Sequence, residues 1–259
     1  TWTSRVAVAS GAGSTFSVLG GDIVGLAGAV WNTSAGGAWR WLGGTLSGTL
    51  EMGTGSLLQI ADPPAGSTVK ALWDNTVLNN RGTITWSGAG PMRARALSDV
   101  EAIINNKAGA IFRLESDGPA FTRNSTNRLP RFNNEAGARF EKPTGNAAIL
   151  TLCDWRFDNA GTVDVNGGTL DLLQGGDSSG PFRAGPNAFL RFRAGLHTFR
   201  HGTILSGTGH IQVDGGTVNG DGTVHGNTVA PGAFDLVSGS LGGVTTYTGA
   251  GLFHWTGGT

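Results

Sequence analysis

The stretch FNNEAGARFEK, residues 132–142, contains an apolar residue, an asparagine pair, a glycine and then a short alternating apolar run. Three other stretches have nearly the same order: LNNRGTITW (78–86), INNKAGAIF (104–112) and FDNAGTVDV (157–165). The second polar residues of the four units are 26, 28 and 25 residues apart, at Asn80, Asn106, Asn134 and Asn159. Self-similarity at such a spacing is typical of solenoids, propellers and other repeat arrays.

The length of the repeat favours a solenoid. A propeller blade needs about 40–45 residues, whereas about 25 residues hold two or three short strands and their turns. Stacked coils would place strand on strand about 4.8 Å apart, and their inward side chains would form continuous columns. We therefore predict an all-β fold, a single-stranded right-handed parallel β-helix of roughly ten to twelve coils. The predicted inward columns are Leu78, Ile104, Phe132 and Phe157, and Ile84, Ile111, Phe140 and Val163.

Local patterns support the same fold. Short alternating runs such as TVDV (162–165) and HIQV (210–213) are bounded by Gly, Asn or Asp, which indicates half-buried strands of a few residues. Gly-Thr-aliphatic occurs eight times, for example at Gly82 and Gly161, and predicts a turn followed by a strand. Helical spacing is almost absent, and LSDVEAII (97–104) is interpreted as a short turn plus a strand.

The repeated asparagines are interpreted as structural. Asn tolerates a left-handed backbone, and stacked side-chain amides can bond to one another along a column. We predict a corner ladder made of Asn80, Asn106, Asn134 and Asn159. No residue is assigned a catalytic, cofactor-binding or metal-binding role.

The whole chain, residues 1–259, is predicted to be one β-solenoid domain with a less regular amino-terminal part, residues 1–35. Three segments rich in Pro, Gly or Arg are interpreted as excursions from the rod, near 87–97, 115–131 and 178–186. Long excursions are where a β-helix usually carries its function.

Composition limits the classes of function. The chain has 45 glycines, 39% hydrophobic residues and only 14% charged residues, which indicates a folded, turn-rich protein. The formal net charge is zero, so we expect no nucleic-acid partner. Residues 81–200 carry a small basic excess, which indicates either a solvated face or a binding stripe for acidic polysaccharide. No apolar run is long enough to span a membrane, and the single cysteine, Cys153, is predicted to be a buried, inert thiol.

Two alternative chemistries are acid–base catalysis and metal binding. A β-helical polysaccharide lyase or hydrolase would need paired carboxylates in one groove. The densest acidic group is Asp154, Asp158, Asp164 and Asp171, and the alternation of Asp164 and Asp171 with apolar residues favours an outward strand face. The segment NGDG (219–222) has part of a calcium-binding repeat but lacks its full order. The histidines lack metal-ligand spacing; they are His197, His201, His210, His225 and His254.

The two ends of the chain share a motif. Trp39, Trp41, Gly43, Gly44 and Thr45 match the spacing of an aromatic-x-Trp-x-Gly-Gly-Thr pattern at 253–259. The match predicts that a second copy of a unit of about 214 residues would begin at residue 253, or that subunits stack end to end.

The combination of NNxGT-aliphatic, GTLxL, SGTGxIxVxGGT-aliphatic and FxWTGGT motifs over most of residues 36–259 resembles a known group of proteins. These are the Gly-rich β-solenoid repeats of large bacterial surface proteins, the filamentous-haemagglutinin-like and autotransporter-passenger-like adhesins. The resemblance implies a secreted, extended, extracellular structural or adhesive module of an array or a self-assembling filament. Its partners would be neighbouring copies or coils, with polysaccharide or a host or cell surface as further possibilities. The alternatives are the lyase or hydrolase, a carbohydrate-binding module, and a phage-type fibre.

Overall fold

The computed structural model describes residues 9–10, 13–25, 30–33, 37–64, 66, 69–73, 75–95, 101–115, 121–124, 128–143 and 150–259. These residues form a parallel β-solenoid in which 63% of the chain is strand and no described residue is in a helix. The predicted fold class is confirmed. Each coil contributes one strand to each of three sheet faces.

The strands of a face lie side by side in parallel register. Face 1 consists of β1 (Ala9–Ser10), β4 (Val30–Thr33), β9 (Val77–Asn80), β12 (Ile103–Asn106), β15 (Arg131–Asn134), β18 (Arg156–Asn159), β21 (Gly176–Ser178) and β24 (Leu196–Arg200). Face 2 consists of β2 (Thr15–Val18), β5 (Ala38–Trp41), β7 (Leu57–Ile60), β10 (Thr83–Trp86), β13 (Ile111–Leu114), β16 (Arg139–Lys142), β19 (Thr162–Val165), β22 (Phe182–Ala184) and β25 (Ile204–Gly207). Face 3 consists of β3 (Asp22–Gly25), β8 (Lys70–Trp73), β11 (Met92–Arg95), β14 (Phe121–Arg123), β17 (Leu150–Cys153), β20 (Thr169–Leu172), β23 (Phe189–Phe192) and β28 (Phe253–Trp255).

Three long strands bend around corners and belong to more than one face. β6 (Gly44–Met52) runs from face 3 to face 1, and β26 (His210–Thr228) and β27 (Ala233–Thr248) each run over all three faces. The solenoid has about nine turns, slightly fewer than predicted. The first and the last coil each have a described neighbour on one side only, so neither is a fully stacked turn.

The core consists of inward columns that run along the rod. Phe132 stacks on Phe157 with ring centroids 5.2 Å apart, and Leu78 and Ile104 continue the same column. The neighbouring column was predicted correctly except at one position: Phe112 points inward, and Ile111 lies on the outer side of its strand. The corner between β12 and β13 is longer than the corner between β9 and β10. The inward residue of the next strand is therefore Phe112, six residues after Asn106, and its neighbour Ile111 points outward because adjacent residues of a strand face opposite sides.

The predicted excursions differ from the structure. Strands β11, β14 and β22 lie within the segments 87–97, 115–131 and 178–186, and each places a buried residue, Met92, Phe121 or Phe182, in the core. Residues 178–186 contain no excursion, because Gly180 and Pro181 form an ordinary corner between β21 and β22. Parts of the first two segments, and residues 97–100 of the predicted turn, lie outside the described residues.

The corners explain the Gly-Thr-aliphatic motif. A Cβ atom on Gly48, whose φ is +72°, would lie 2.2 Å from the Gly25 carbonyl oxygen in the coil below. A Cβ on Gly82 would lie 2.2 Å from the carbonyl oxygen of Ser56, although its φ is not positive. Gly is therefore needed at these corners either for its backbone angle or for the close approach of the adjacent coil.

Candidate functional site

The four repeated asparagines are brought together in one buried column at the corner between face 1 and face 2. The Asn80 side-chain amide donates to Asn106 Oδ1 at 2.8 Å, Asn106 donates to Asn134 at 2.9 Å, and Asn134 donates to Asn159 at 2.8 Å. Each amide of the first three also donates to a backbone carbonyl on the next coil, such as that of Arg139 at 2.9 Å from Asn106. This inner ladder satisfies buried polar groups and ties four coils together.

A second amide ladder runs along the outside of face 1. Asn133 donates to Asn105 Oδ1 at 2.7 Å, Asn105 donates to Asn79 at 2.8 Å, and Asn79 donates to the Glu51 carboxylate. In the outer ladder each side-chain amide donates to the coil on its amino-terminal side, whereas in the inner ladder each amide donates to the coil on its carboxyl-terminal side. In the first three repeats the asparagine pair thus supplies one buried and one half-exposed ladder residue, because adjacent residues of a strand face opposite sides. The fourth repeat has Asp158 at the outer position.

Ion pairs within a strand and between successive coils lie on the outer faces of the rod. On face 2, Arg139 contacts Glu141 at 2.9 Å and Asp164 at 3.0 Å, and Arg113 contacts Glu141 at 3.0 Å. The hydrogen bond to Asp164 raises the pKa of Arg139. On face 3, Arg191 contacts the buried Asp171 at 2.6 Å. Burial raises the pKa of the Asp171 carboxyl, and the hydrogen bond from Arg191 opposes this increase.

An open groove of about 250 Å³ lies over the carboxyl-terminal end of the outer ladder, lined by Asn133, Asp158, Asp177, Ser179 and Arg200 among others. Its carboxylates are already paired, since Arg156 lies 2.9 Å from Asp158 and 3.1 Å from Asp177. Arg200 bridges Asp177 and Asp221. The groove is therefore a network of ion pairs across successive coils.

The four aspartates considered for acid–base catalysis are not brought together. Asp158 lies on face 1, Asp164 on face 2 and Asp171 on face 3, and each contacts its own arginines. Asp154 lies at the corner between face 3 and face 1, where it contacts Arg123 at 3.2 Å. No two of the four form the single-groove pair that the lyase or hydrolase hypothesis required of this set.

Of the remaining reactive side chains, His197 and Cys153 are buried separately, whereas His210 and His254 share one carboxylate. His197 is buried, its Nε2 lies 3.1 Å from the carbonyl of Ala194, and burial lowers its pKa to about 4. Cys153 is a buried free thiol, and burial raises its pKa to about 12. His210 and His254 both contact Asp235, with Nδ1 atoms 2.8 and 3.1 Å from its oxygens.

Among the described residues, no group of three or more His, Cys, Asp or Glu side chains is placed to hold a metal ion. The NGDG segment lies inside β26, and its Asp221 contacts Arg200 at 2.8 Å. In the part of the chain that the structure describes, no helix has the length and apolarity needed to cross a bilayer.

The last coil has exposed side chains at core positions. Phe253 and Trp255 of β28 continue the columns of Phe234 and Leu236, which are 3% and 2% exposed. Phe253 and Trp255 themselves are 49% and 66% exposed, because no described strand pairs with the outer edge of β28. Tyr247, at the end of β27, is likewise exposed although it continues a core column above the buried Val224. Inward positions are therefore exposed on this open coil, and it is the candidate interaction site.

The motif shared by the two ends occupies different faces. Trp39 and Trp41 lie in β5 on face 2 and are buried, whereas Phe253 and Trp255 lie on face 3. In both places the motif is a strand followed by a Gly-Gly corner, and Thr259 begins the next face by bonding to Gly239 and Leu241. The motif therefore specifies a corner that can occur on more than one edge of the rod.

Comparisons with protein-family models, with curated proteins and with solved structures found no match to this chain. The geometry of the rod and of its open coil is therefore the basis for a functional proposal.

Proposed function

We propose that this chain is an extracellular structural and adhesive module of an elongated bacterial surface protein, whose coils stack with those of an array neighbour or of a second copy. The observation that carries the proposal is the bonding of successive coils to one another by stacked amide ladders and ion pairs. Phe253 and Trp255 are exposed on top of buried core columns. A parallel strand with the same inward–outward alternation would cover these side chains and pair the free edge of β28. The extracellular and adhesive parts rest on the motif resemblance.

The rest of the rod supports a structural role. Amide ladders and ion pairs bond each coil to the next, and every acid that was considered for catalysis has a polar partner on a neighbouring strand or corner. A module whose contacts are mostly between adjacent coils can be lengthened without redesign of its core.

The self-assembling form of the proposal predicts concentration-dependent rods. A head-to-tail contact between identical chains joins two different surfaces and therefore leads to open filaments. Sedimentation velocity and negative-stain electron microscopy of the wild-type chain should show rods that lengthen with concentration. The double variant Phe253→Ser/Trp255→Ser should remain single particles.

Val229→Ser/Val244→Ser is the matched control, because both valines are exposed but neither continues a core column. It should assemble like the wild type. Single particles of the wild-type chain at all concentrations would exclude self-assembly by this coil.

The array form can be tested separately with a tandem chain in which Thr259 is followed directly by residues 46–259. This junction uses the shared Gly-Gly-Thr corner and would cover β28 with new coils. One cooperative unfolding transition and a rod about twice as long are expected. Two independent particles on a flexible connection would overturn the array form.

A further inference from the structure

The arginines of the described residues fall into two groups. Most contact a carboxylate on a neighbouring coil, as Arg139, Arg191 and Arg200 do. Arg40, Arg93, Arg95 and Arg128 have no described carboxylate within ion-pair distance. Arg95 and Arg128 are exposed, and Arg93 is half-buried. Among the described residues, three of these four arginines therefore lie on or beside β11, whereas Arg40 is half-buried in β5 on face 2.

The arginines on or beside β11 surround a shallow, narrow groove at the corner between face 3 and face 1, and its interior has no space for a water molecule. Arg95, Arg123, Arg128, Glu101 and Pro130 are among the residues that line it. Glu101 lies 3.5 Å from Arg131, and Arg123 contacts Asp154 at 3.2 Å. The lining side chains thus carry three positive charges and one negative charge. Arg93 adds a further positive charge two residues before Arg95, on the same side of β11.

An aromatic surface lies beside the charges. The Arg95 guanidinium carbon is 5.4 Å from the ring centroid of Trp73, which is its register partner on β8. Stacking on the indole holds the guanidinium in place while its N–H groups can still donate. A guanidinium is well suited to two parallel hydrogen bonds with a carboxylate.

We propose that this groove, which we call the arginine groove, binds an acidic polysaccharide through the carboxylates of its sugar units. The arginines would bind the carboxylates, and the half-exposed Trp73 would contact the apolar side of a sugar ring. The groove is shallow, so the polymer lies across the rod surface. Nucleic acid fits less well, because its affinity depends on many phosphate contacts and the described residues offer few unpaired cations. The proposal is independent of assembly at the open coil.

The test is binding of the full chain to immobilised polygalacturonate at low and moderate salt, measured by biolayer interferometry. Arg95→Gln/Arg128→Gln should weaken binding about ten-fold, because two solvent-exposed charged contacts are lost. Arg81→Gln/Arg183→Gln removes the same charge from exposed arginines elsewhere, whose carboxylates are 3.7 and 3.8 Å away, and should bind like the wild type. Circular dichroism melting checks that all variants are folded.

Three results would overturn the proposal. The first is no binding of the wild-type chain at low salt. The second is equal loss in both double variants, which would indicate non-specific attraction by net charge. The third is competition by duplex DNA or dextran sulfate that is as strong as competition by free polygalacturonate, which would remove the assignment to sugar carboxylates.

Discussion

Two neighbouring asparagines on β12 have the same side chain but differ in burial, so a comparison of their alanine variants measures the effect of burial. Asn106 is fully buried, and its amide bonds to Asn80, Asn134 and the Arg139 carbonyl, whereas Asn105 bonds along the half-exposed outer ladder. Asn106→Ala should lower the free energy of unfolding by about 3 kcal/mol, because it leaves buried polar groups without partners. Asn105→Ala should cost about 1 kcal/mol, since water can replace the lost bonds.

Urea unfolding followed by circular dichroism measures both changes. Equal losses for Asn105→Ala and Asn106→Ala would show that burial of the inner ladder does not determine its contribution.

His197 is expected to make stability depend on pH. Its folded-state pKa is about 4, below the ordinary value of 6.5, because burial disfavours the charged imidazole. As pH falls from 6.5 to 4, the unfolded chain binds a proton that the folded chain does not bind, so stability decreases by roughly 3 kcal/mol. Above pH 6.5 this contribution is constant. His197→Leu should remove this part of the pH dependence in urea titrations at pH 4, 5 and 7, and an unchanged slope would contradict the assignment.

The repeat made part of this residue-level arrangement predictable. Phe132, Phe140 and Asn134 point inward, as their spacing indicated. Ile111 was misplaced because the number of residues in a corner decides which strand positions face inward, and corner length varies between the coils. The outer ladder and the coil-to-coil ion pairs could not be predicted, because they depend on the register between strands 20–30 residues apart.

At the scale of the element, two corner glycines have similar φ angles but differ in the space around them. Their alanine variants therefore distinguish backbone strain from steric overlap with the adjacent coil. Gly48 and Gly55 have φ values of +72° and +75°. A Cβ on Gly48 would approach the Gly25 carbonyl oxygen to 2.2 Å, whereas a Cβ on Gly55 would meet nothing within 4 Å. Gly55→Ala should cost about 1 kcal/mol of unfolding free energy from backbone strain alone. Gly48→Ala should cost at least about 2 kcal/mol more, because the adjacent coil must move.

Thermal melts of the two alanine variants provide the comparison. Similar melting temperatures would show that the coils can separate locally at little cost.

Short strands were harder to predict than corners. SSGPFRAGP (178–186) has the composition of a loop, and yet Phe182 and Ala184 occupy core positions in a strand of three residues. Its parallel neighbours β19 and β25 supply the backbone partners that local propensity does not indicate. Tertiary pairing therefore overrides composition in the coils between residues 160 and 210.

At the scale of the whole molecule, stability should vary along the rod. Each coil contacts mainly its neighbours, so an inner coil is held on two sides and the last coil on one. The amides of β28 and of residues 240–248 should therefore exchange with solvent faster than those of β12, β15 and β18, which are held by the inner ladder. Hydrogen–deuterium exchange with mass spectrometry resolves these segments.

The same measurement links the open coil to assembly. If a second chain covers Phe253 and Trp255, exchange in β28 should slow as protein concentration rises, while exchange in β15 stays constant. The tandem chain should show slow exchange in its first β28 at every concentration, because the covering coil is covalently attached. The Phe253→Ser/Trp255→Ser variant should lose the concentration dependence and keep fast exchange. Exchange in β28 that is as slow as in β15 at low concentration would show that the last coil is stable without a partner, and the open coil would then need no neighbour to cover it.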